Sequence, residues 1–311
     1  MPGHDGHTFY VWFDALLGYI TALLEPGDEP DLEVALAHGW PAQLHVIGKD
    51  ILRFHAVYWP AMLLSAGLPL PKHVFGHGFL TREGQKMGKS LGNVLDPEAL
   101  LERCGRDCVR WYLLRDIPFG DDGDFQQQRF VDLVNNDLAN TIGNLLNRTS
   151  SMARRWFADA VPPAGPALDG NHPLAQAATS TAAQVIQALD ALDFRAGAEA
   201  VLQLAITANG FLNDQAPWKV IKQQGDRAQV AADLYAVLEA TRWVAVLLAP
   251  LLPELSERML LQLGQSPFSS DHSQPGATPW QTSQQWGLLV PGMPLPEPQP
   301  VLQRLELDGP L

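Results

Sequence analysis

Apolar and polar residues follow two different periods along this chain, and the change between them divides it into two parts. In the first part, residues 9–14 predict a β-strand with two faces, one formed by Phe9, Val11 and Phe13 and the other by Tyr10, Trp12 and Asp14. An apolar stretch at helical spacing follows over residues 15–24 and ends at Pro26. Asp14 stands at the junction, where its carboxylate would cap the helix. A strand that leads directly into a helix predicts one half of a βαβ unit.

The same order repeats downstream. Residues 43–47 predict a short strand, residues 51–66 a helix interrupted at Pro60, and residues 71–80 a further strand. In an open α/β sheet, ligands bind beyond the carboxyl ends of the strands, so these strand ends predict one crevice. The residues expected around it are Trp12, Asp14, Gly48, Asp50 and His77.

After residue 124 the apolar positions recur only at helical spacing. A sustained apolar stripe comes first, formed by Phe130, Val134, Leu138, Ile142 and Leu145. Amphipathic segments then cover residues 173–192, 194–213 and 227–263, the last bent at Pro250 and Pro253. Short connections between long helices predict an antiparallel bundle.

The predicted fold class is therefore α/β followed by all-α, with a partial Rossmann-like parallel sheet ahead of a helical bundle. We predict an α/β domain over residues 1–123 and a helical domain over residues 124–263. Residues 264–285 are rich in Ser, Gln, Gly and Pro and are interpreted as a linker. Residues 286–311 place apolar anchors between prolines, which predicts an extended segment that packs back on the body.

Composition is that of a globular protein, with 311 residues of which 46% are hydrophobic and 18% charged. No run of about eighteen apolar residues predicts a membrane span, and no secretory signal pattern opens the chain, so we expect a cytoplasmic protein. Cys104 and Cys108 lie one helical turn apart without a second Cys/His pair. We therefore predict free thiols and no zinc or other metal site.

The net charge of −13 argues against general binding to nucleic acid. An RNA partner would require a local positive face and contacts to individual bases, with the acidic residues elsewhere.

Residues 76–93, with the sequence GHGFLTREGQKMGKSLGN, contain the most specific chemical signal. Lys86 and Lys89 flank Met87 and Gly88, and Ser90 follows, which makes a cationic loop with little side-chain bulk. Such a loop can place ammonium and hydroxyl donors on a polyphosphate as charge develops in a transition state. Without further context, the same pattern is also typical of two surface lysines on a hairpin tip.

This loop resembles the lysine-rich signature of class I aminoacyl-tRNA synthetases, usually KMSKS and here KMGKS. The preceding GHGF and the following LGNVLDP also match, and residues 11–97 resemble the second half of a methionyl-tRNA synthetase catalytic domain. The resemblance implies ATP-dependent activation of methionine, with Mg²⁺ accompanying ATP, and transfer of the amino acid to tRNA(Met). The family's histidine motif of the HIGH type and its inserted domain with a metal knuckle are not among these residues. We therefore expect a truncated chain whose partner is a missing N-terminal half.

The resemblance also implies roles for individual residues. Lys86 and Lys89 would be catalytic, neutralising the phosphates as pyrophosphate leaves. The implied ATP-binding residues are Gly48, Asp50, His77, Lys86, Lys89 and Ser90. The implied methionine-binding residues are Trp12, Ala15, Leu16, Tyr19, Asp50, Ile51 and His55. Aromatic edges suit a thioether, although core aromatics, a helix histidine and a helix-capping Asp50 would give the same pattern.

In the helical part, Asn144, Arg148 and Trp218 match the positions that read the CAU anticodon in this family. An exposed Trp can stack on an unpaired base while Asn and Arg bond base edges. Alternatively, Asn144 and Arg148 are ordinary surface residues of a helix and Trp218 is a core residue. Gly88 departs from the usual Ser, which removes one hydroxyl donor, and we expect a modest effect on the closed loop.

Three hypotheses follow for the function. The first is a methionine–tRNA ligase whose activity belongs to a longer protein. The second is a non-catalytic tRNA-binding module or one half of a split synthetase. The third is a synthetase-like enzyme for another aliphatic amino acid, since the leucine, isoleucine and valine enzymes share the lysine loop.

Overall fold

A computed structural model describes residues 4, 6–28, 31–266, 268, 279–306 and 309, apart from the side chains of Lys89 and Pro279. The chain forms two compact units. The first consists of Met1–Phe79 with Gly120–Gly123, and the second of Leu80–Phe119 with Asp124–Leu311. In the described ranges, no helix combines the length and the apolar character needed to cross a bilayer.

The first unit contains a parallel strand pair, β1 (Leu44–Gly48) and β2 (His73–His77). The strand predicted at 43–47 is thereby confirmed, and β2 lies inside the strand predicted at 71–80. His45 and Ile47 are buried while Val46 between them is half exposed, so one face of β1 carries the core.

The connection from β1 to β2 is largely helical. It contains a 3₁₀ turn at Lys49–Ile51, a π-helix at Phe54–Tyr58 and an α-helix at Trp59–Ser65. The backbone stays helical across Pro60, but the helix changes from π to α type at Trp59, next to the predicted interruption. Pro60 lies in the first turn of the α-helical part, where a proline N–H is not needed for the helix.

The prediction of a strand at residues 9–14 is wrong. Val11–Ala15 forms a short helix, α1, and Gly18–Thr21 forms a second, α2, so the predicted helix at 15–24 is broken. A strand needs a neighbour to take its backbone hydrogen bonds, and the described sheet of this unit contains only β1 and β2. The Trp12 ring stacks on Phe54 instead, with ring centroids 5.0 Å apart.

Two further elements complete the first unit. They are α3 (Leu32–Ala37), capped by the Asp31 side chain, and the helix Trp59–Ser65, here called α4. The core of the unit consists of Leu16, Ile20, Ala35, Trp40, Trp59 and Leu63.

The second unit opens with an antiparallel hairpin of β3 (Leu80–Arg82) and β4 (Gln85–Lys86). Strand β5 (Gly123–Phe125) lies beside β3. A 3₁₀ turn at Lys89–Leu91 follows the hairpin. The Asp96 carboxylate caps the next helix by accepting the N–H groups of Glu98 and Ala99, as the Asp-Pro pair predicts.

The helical part of the second unit confirms the all-α half of the predicted fold class. Every residue of the predicted stripe from Phe130 to Leu145 is fully buried. The bend predicted at Pro250 and Pro253 is present, since one helix ends at Leu248 and the next begins at Pro253. The helices are α5 (Pro97–Cys104), α6 (Arg106–Arg115), α7 (Gln127–Leu133), a π-helix (Val134–Gly143), α8 (Asn144–Trp156), a 3₁₀ turn (Gly165–Leu168), α9 (Pro173–Asp190), α10 (Phe194–Gln215), α11 (Pro217–Lys222), α12 (Arg227–Leu248), α13 (Pro253–Gln262) and α14 (Pro279–Thr282).

Helix α12 is the centre of this unit, because every residue from Val230 to Leu248 is buried. It carries an ion pair inside the core, with Arg242 Nη2 2.6 Å from Glu239 Oε1. Both side chains find further partners in the C-terminal segment. Glu239 accepts the backbone N–H groups of residues 287, 288 and 289, and Arg242 donates to the carbonyls of residues 283 and 285.

The C-terminal segment packs onto the bundle with little regular structure. Leu289, Leu295 and Val301 belong to the hydrophobic core, and Pro294 forms an isolated bridge with Ala160. Of the predicted linker at 264–285, residues 267 and 269–278 lie outside the described residues, as do 307, 308, 310 and 311 of the predicted segment at 286–311.

The buried pair gives a stability prediction. Glu239→Gln leaves Arg242 buried without its counter-charge, so we expect a loss of about 3–5 kcal/mol in the free energy of unfolding. Urea denaturation followed by far-UV circular dichroism measures it.

The matched control is Glu254→Gln, which breaks the exposed pair between Arg106 and Glu254. We expect a loss of at most about 1 kcal/mol there. Equal urea midpoints for the two variants would contradict the structural role of the buried pair.

Candidate functional site

The first unit brings Trp12, Tyr19 and His55 together in an aromatic cluster. Tyr19 Oη lies 2.8 Å from His55 Nε2, and His55 Nδ1 lies 3.0 Å from the Ile51 carbonyl oxygen. Because a carbonyl only accepts, Nδ1 carries the proton and Nε2 accepts the Tyr19 hydroxyl. The Trp12 ring meets the His55 ring edge-on, with centroids 6.0 Å apart.

The residues predicted to bind methionine differ in how deeply they are buried. His55 is fully buried, Leu16 is 1% exposed and belongs to the core of the unit, and Tyr19 remains 38% exposed. Ala15 is exposed on the surface. Burial raises the pKa of the Tyr19 hydroxyl, so this side chain keeps the proton that it donates to His55.

An apolar cavity of about 360 Å³ lies beside the cluster in the same unit. Trp12 and Leu16 line it, together with Phe54, Tyr58 and Met62. Tyr19, Asp50 and His55 are not among its lining residues. The cavity is large enough for a thioether side chain, but it shares only part of the predicted methionine set.

Gly48, Asp50 and His77 lie at the carboxyl end of the parallel pair. Gly48 and His77 are register partners, which places them side by side where β1 and β2 end. Asp50 is exposed in the 3₁₀ turn, and a Cβ on residue 48 would lie 2.6 Å from its Oδ1 atom. Glycine at position 48 therefore leaves room for the carboxylate to fold back over the end of the strand.

The lysine loop belongs to the second unit. Asn93 ties it together, because its side chain accepts the Gly88 N–H at 2.9 Å and donates to the Lys86 carbonyl at 3.2 Å. Lys86 and Ser90 are exposed, and the side chain of Lys89 lies outside the described part of the structure. A Cβ on residue 88 would have its nearest contact at 3.8 Å, with the Leu91 side chain, so the loop conformation does not require glycine.

In the bundle, Arg148 and Trp218 form one surface. The Arg148 guanidinium lies 5.6 Å from the centroid of the Trp218 ring, and Arg148 Nη2 donates to Asn213 Oδ1 at 3.0 Å. Trp218 is 36% exposed. Asn144 lies one turn before Arg148 on α8 and lines a separate pocket of about 400 Å³ with Asn147 and Arg304.

Several contributing residues carry no strong sequence signal. His45 is buried beside Tyr19, with ring centroids 4.5 Å apart, and only the alternation along β1 points to its inward position. Asn93 and Asn213 make hydrogen bonds to the lysine loop and to Arg148, respectively, and sequence spacing does not predict these bonds. The π-helices have no sequence signal either, although one carries His55 and another directly precedes Asn144.

The cysteines behave as buried thiols. Burial raises the pKa of Cys108 to about 12, so its thiolate is not formed near neutral pH. Among the described residues there is no group of three or more His, Cys, Asp or Glu that could hold a metal ion.

Comparison with known proteins finds a described family for each of two parts of the chain. A sequence profile described as "tRNA synthetases class I (M)" matches residues 1–150. A second profile, "Anticodon binding domain of methionyl tRNA ligase", matches residues 161–305. The chain belongs to the methionyl-tRNA synthetase family. Trp218 lies inside the second match, whereas Asn144 and Arg148 lie inside the first.

Individual members of this family align with nearly the whole chain. The methionine–tRNA ligase of Nostoc sp. is 50% identical over 308 residues, which are 98% of this chain and 57% of that protein. The chloroplastic/mitochondrial methionine–tRNA ligase of Arabidopsis thaliana is 46% identical over 99% of this chain and 49% of its own length.

A solved structure is similar as well. Mycobacterium tuberculosis methionyl-tRNA synthetase in complex with methionyl-adenylate is 39% identical, with a TM-score of 0.83. The match covers 98% of this chain and 58% of that chain. The chain therefore spans between about half and three-fifths of the length of these relatives.

The glycine geometry gives a second prediction. Gly88→Ser meets no close neighbour, so we expect the free energy of unfolding to change by less than about 0.5 kcal/mol. Gly78→Ala is the contrasting variant, because its Cβ would lie 2.1 Å from the Asp121 carbonyl oxygen. The backbone must then shift, at a cost of about 1–3 kcal/mol. Thermal denaturation of both variants measures the difference, and a larger loss for Gly88→Ser would contradict it.

Proposed function

We propose that this chain carries the methionine-binding, lysine-loop and anticodon-binding parts of a methionine–tRNA ligase. The reaction would activate methionine with ATP, accompanied by Mg²⁺, and transfer it to tRNA(Met) in the cytoplasm. The hydrogen-bonded pair of Tyr19 and His55 next to Trp12 is the observation that carries the proposal. Aromatic edges around a polarizable sulfur favour methionine over leucine, isoleucine or valine.

In this proposal the protein supplies positioning and charge rather than a nucleophile. The methionine carboxylate would attack the α-phosphorus of ATP, and pyrophosphate would leave. Gly48, Asp50 and His77 would hold the nucleotide, and Asp50 would also receive the methionine ammonium group. Lys86 and Lys89 would neutralise the charge that develops on the leaving phosphates. Convergence of the lysine loop with the aromatic cluster stays a prediction.

The first experiment is methionine-dependent exchange of pyrophosphate into ATP. We expect the activity in a chain extended to the full length of the relatives, since this chain spans 57% of the Nostoc protein. Tyr19→Phe removes the hydroxyl that His55 accepts and should raise the KM for methionine about tenfold.

The control for that variant is Tyr58→Phe, because the Tyr58 ring lines the neighbouring cavity but no hydrogen bond is found for its hydroxyl among the described contacts. We expect its KM for methionine to stay within about twofold of the parent value. Equal KM values for Tyr19→Phe and the parent enzyme would reject this methionine pocket.

A second candidate function is RNA binding without catalysis, which the contact between Arg148 and Trp218 favours. In this function Trp218 would stack on an anticodon base, and Asn144 and Arg148 would bond base edges. Lys219 and Lys222 lie on the same short helix as Trp218, so the local charge is more positive than the chain average.

Binding of a methionine anticodon stem-loop to this chain tests the RNA surface. Trp218→Ala should weaken binding by about 1–3 kcal/mol, roughly 5- to 150-fold, whereas Trp218→Phe should retain most of it because a ring remains for stacking. Fluorescence anisotropy at low salt measures both variants, with a stem-loop of altered anticodon as the specificity control. Binding that is indifferent to Trp218 and to the anticodon would remove this function.

A further inference from the structure

The acidic segment Gly120–Gly123, followed by Asp124, lies where the chain passes between its two units. Gly120–Gly123 belongs to the first unit, while Phe119 before it and Asp124 after it belong to the second. Asp122 and Asp124 therefore stand two residues apart in different units, separated by Gly123.

Asp122 makes its contacts in the first unit. Its two carboxylate oxygens lie 2.6 and 2.7 Å from Lys49 Nζ, and Oδ1 also accepts the Phe79 N–H at 2.7 Å. The Lys49 hydrogen bonds, followed by that of Phe79, hold the pKa of Asp122 below its usual range.

Close backbone packing fixes the same segment. The carbonyl of Asp121 approaches Gly78 so closely that no side chain would fit there, and the Gly123 N–H donates to the Phe79 carbonyl at 2.8 Å. An exposed ion pair alone stabilises a structure little. Here the pair is combined with backbone hydrogen bonds on both sides, so Lys49 is held in a defined place.

Asp124 makes its contacts in the second unit. Its Oδ1 atom accepts the Thr81 hydroxyl and the Gly84 N–H, both at 2.7 Å, and Oδ2 accepts the Gln126 side chain at 3.0 Å. Desolvation by itself would raise the pKa of Asp124, but these hydrogen bonds outweigh it and the pKa is lowered.

Each carboxylate is joined to an element that the proposed function assigns to ATP. Lys49 lies between Gly48 and Asp50 in the turn after β1, and Gly84 forms the tip of the hairpin whose second strand contains Lys86. We infer that Asp122 and Asp124 are positioning residues, Asp122 for the nucleotide-binding turn and Asp124 for the lysine-loop hairpin. The assignment of these elements to ATP rests on the proposed function.

Amide hydrogen exchange of this chain tests the two contacts separately. Asp122→Ala removes the acceptor of the Phe79 N–H, so exchange there should become about tenfold faster while Gly84 changes less than about twofold. Asp124→Ala should give the reverse result, with fast exchange at Gly84. Asp124→Asn keeps an acceptor oxygen and should restore most of the protection. Equal effects of both alanine variants at both amides would overturn the inference.

Kinetics of pyrophosphate exchange then distinguish positioning from general destabilisation. They are measured on the chain extended to the full length of its relatives. Asp122→Ala should raise the KM for ATP about tenfold with kcat within about twofold, because the nucleotide turn loses its support. Asp124→Ala should lower kcat about tenfold at saturating ATP, because the lysine loop acts on the leaving phosphates. Lower kcat with unchanged KM in both variants would overturn the assignment. If the parent enzyme does not exchange pyrophosphate into ATP, the proposed function is rejected. Amide hydrogen exchange would still test the two carboxylate contacts.

Discussion

The ion pair of Glu239 and Arg242 inside helix α12 is the constraint on which the second unit depends. A charged side chain in a buried helix requires partners outside that helix, because the backbone groups of the helix already bond to one another. The structure supplies them from the backbone of residues 283–289, which donates three N–H groups to Glu239 and offers two carbonyls to Arg242. The central helix and the C-terminal segment therefore form one core.

The same requirement applies to other acids that the fold draws into the interior. Several of its acids point inward, including Asp107, Asp137, Asp233 and Glu239. Burial raises the pKa of Asp107, Asp137 and Asp233, and each of these carboxylates accepts a hydrogen bond. The net charge of −13 is not spread evenly along the chain, since two lysines follow Trp218 on the same helix.

Candidate functional residues in both units lie at departures from regular helix. His55 belongs to a π-helix, and Asn144 follows one of ten residues. A wider helical turn shifts the direction of the side chains that follow it, which changes the face on which they project. The Ala216 backbone, with φ of 43°, likewise ends one helix and lets Pro217 begin the next, so that Trp218 meets Arg148.

The residues alone determined the order of the bundle helices, the buried stripe from Phe130 to Leu145, the cap at Asp96 and the family. These depend on periodicity, local hydrogen bonding and short motifs, which are visible in a few adjacent positions. Only tertiary structure decided the state of residues 9–14, because alternation predicts a strand but a neighbouring strand must bind it. It also decided that the helix changes from π to α type beside Pro60, that Asn93 ties the lysine loop and that Glu239 holds the C-terminal segment. Each of these depends on groups brought together by folding, and no spacing in the sequence records that proximity.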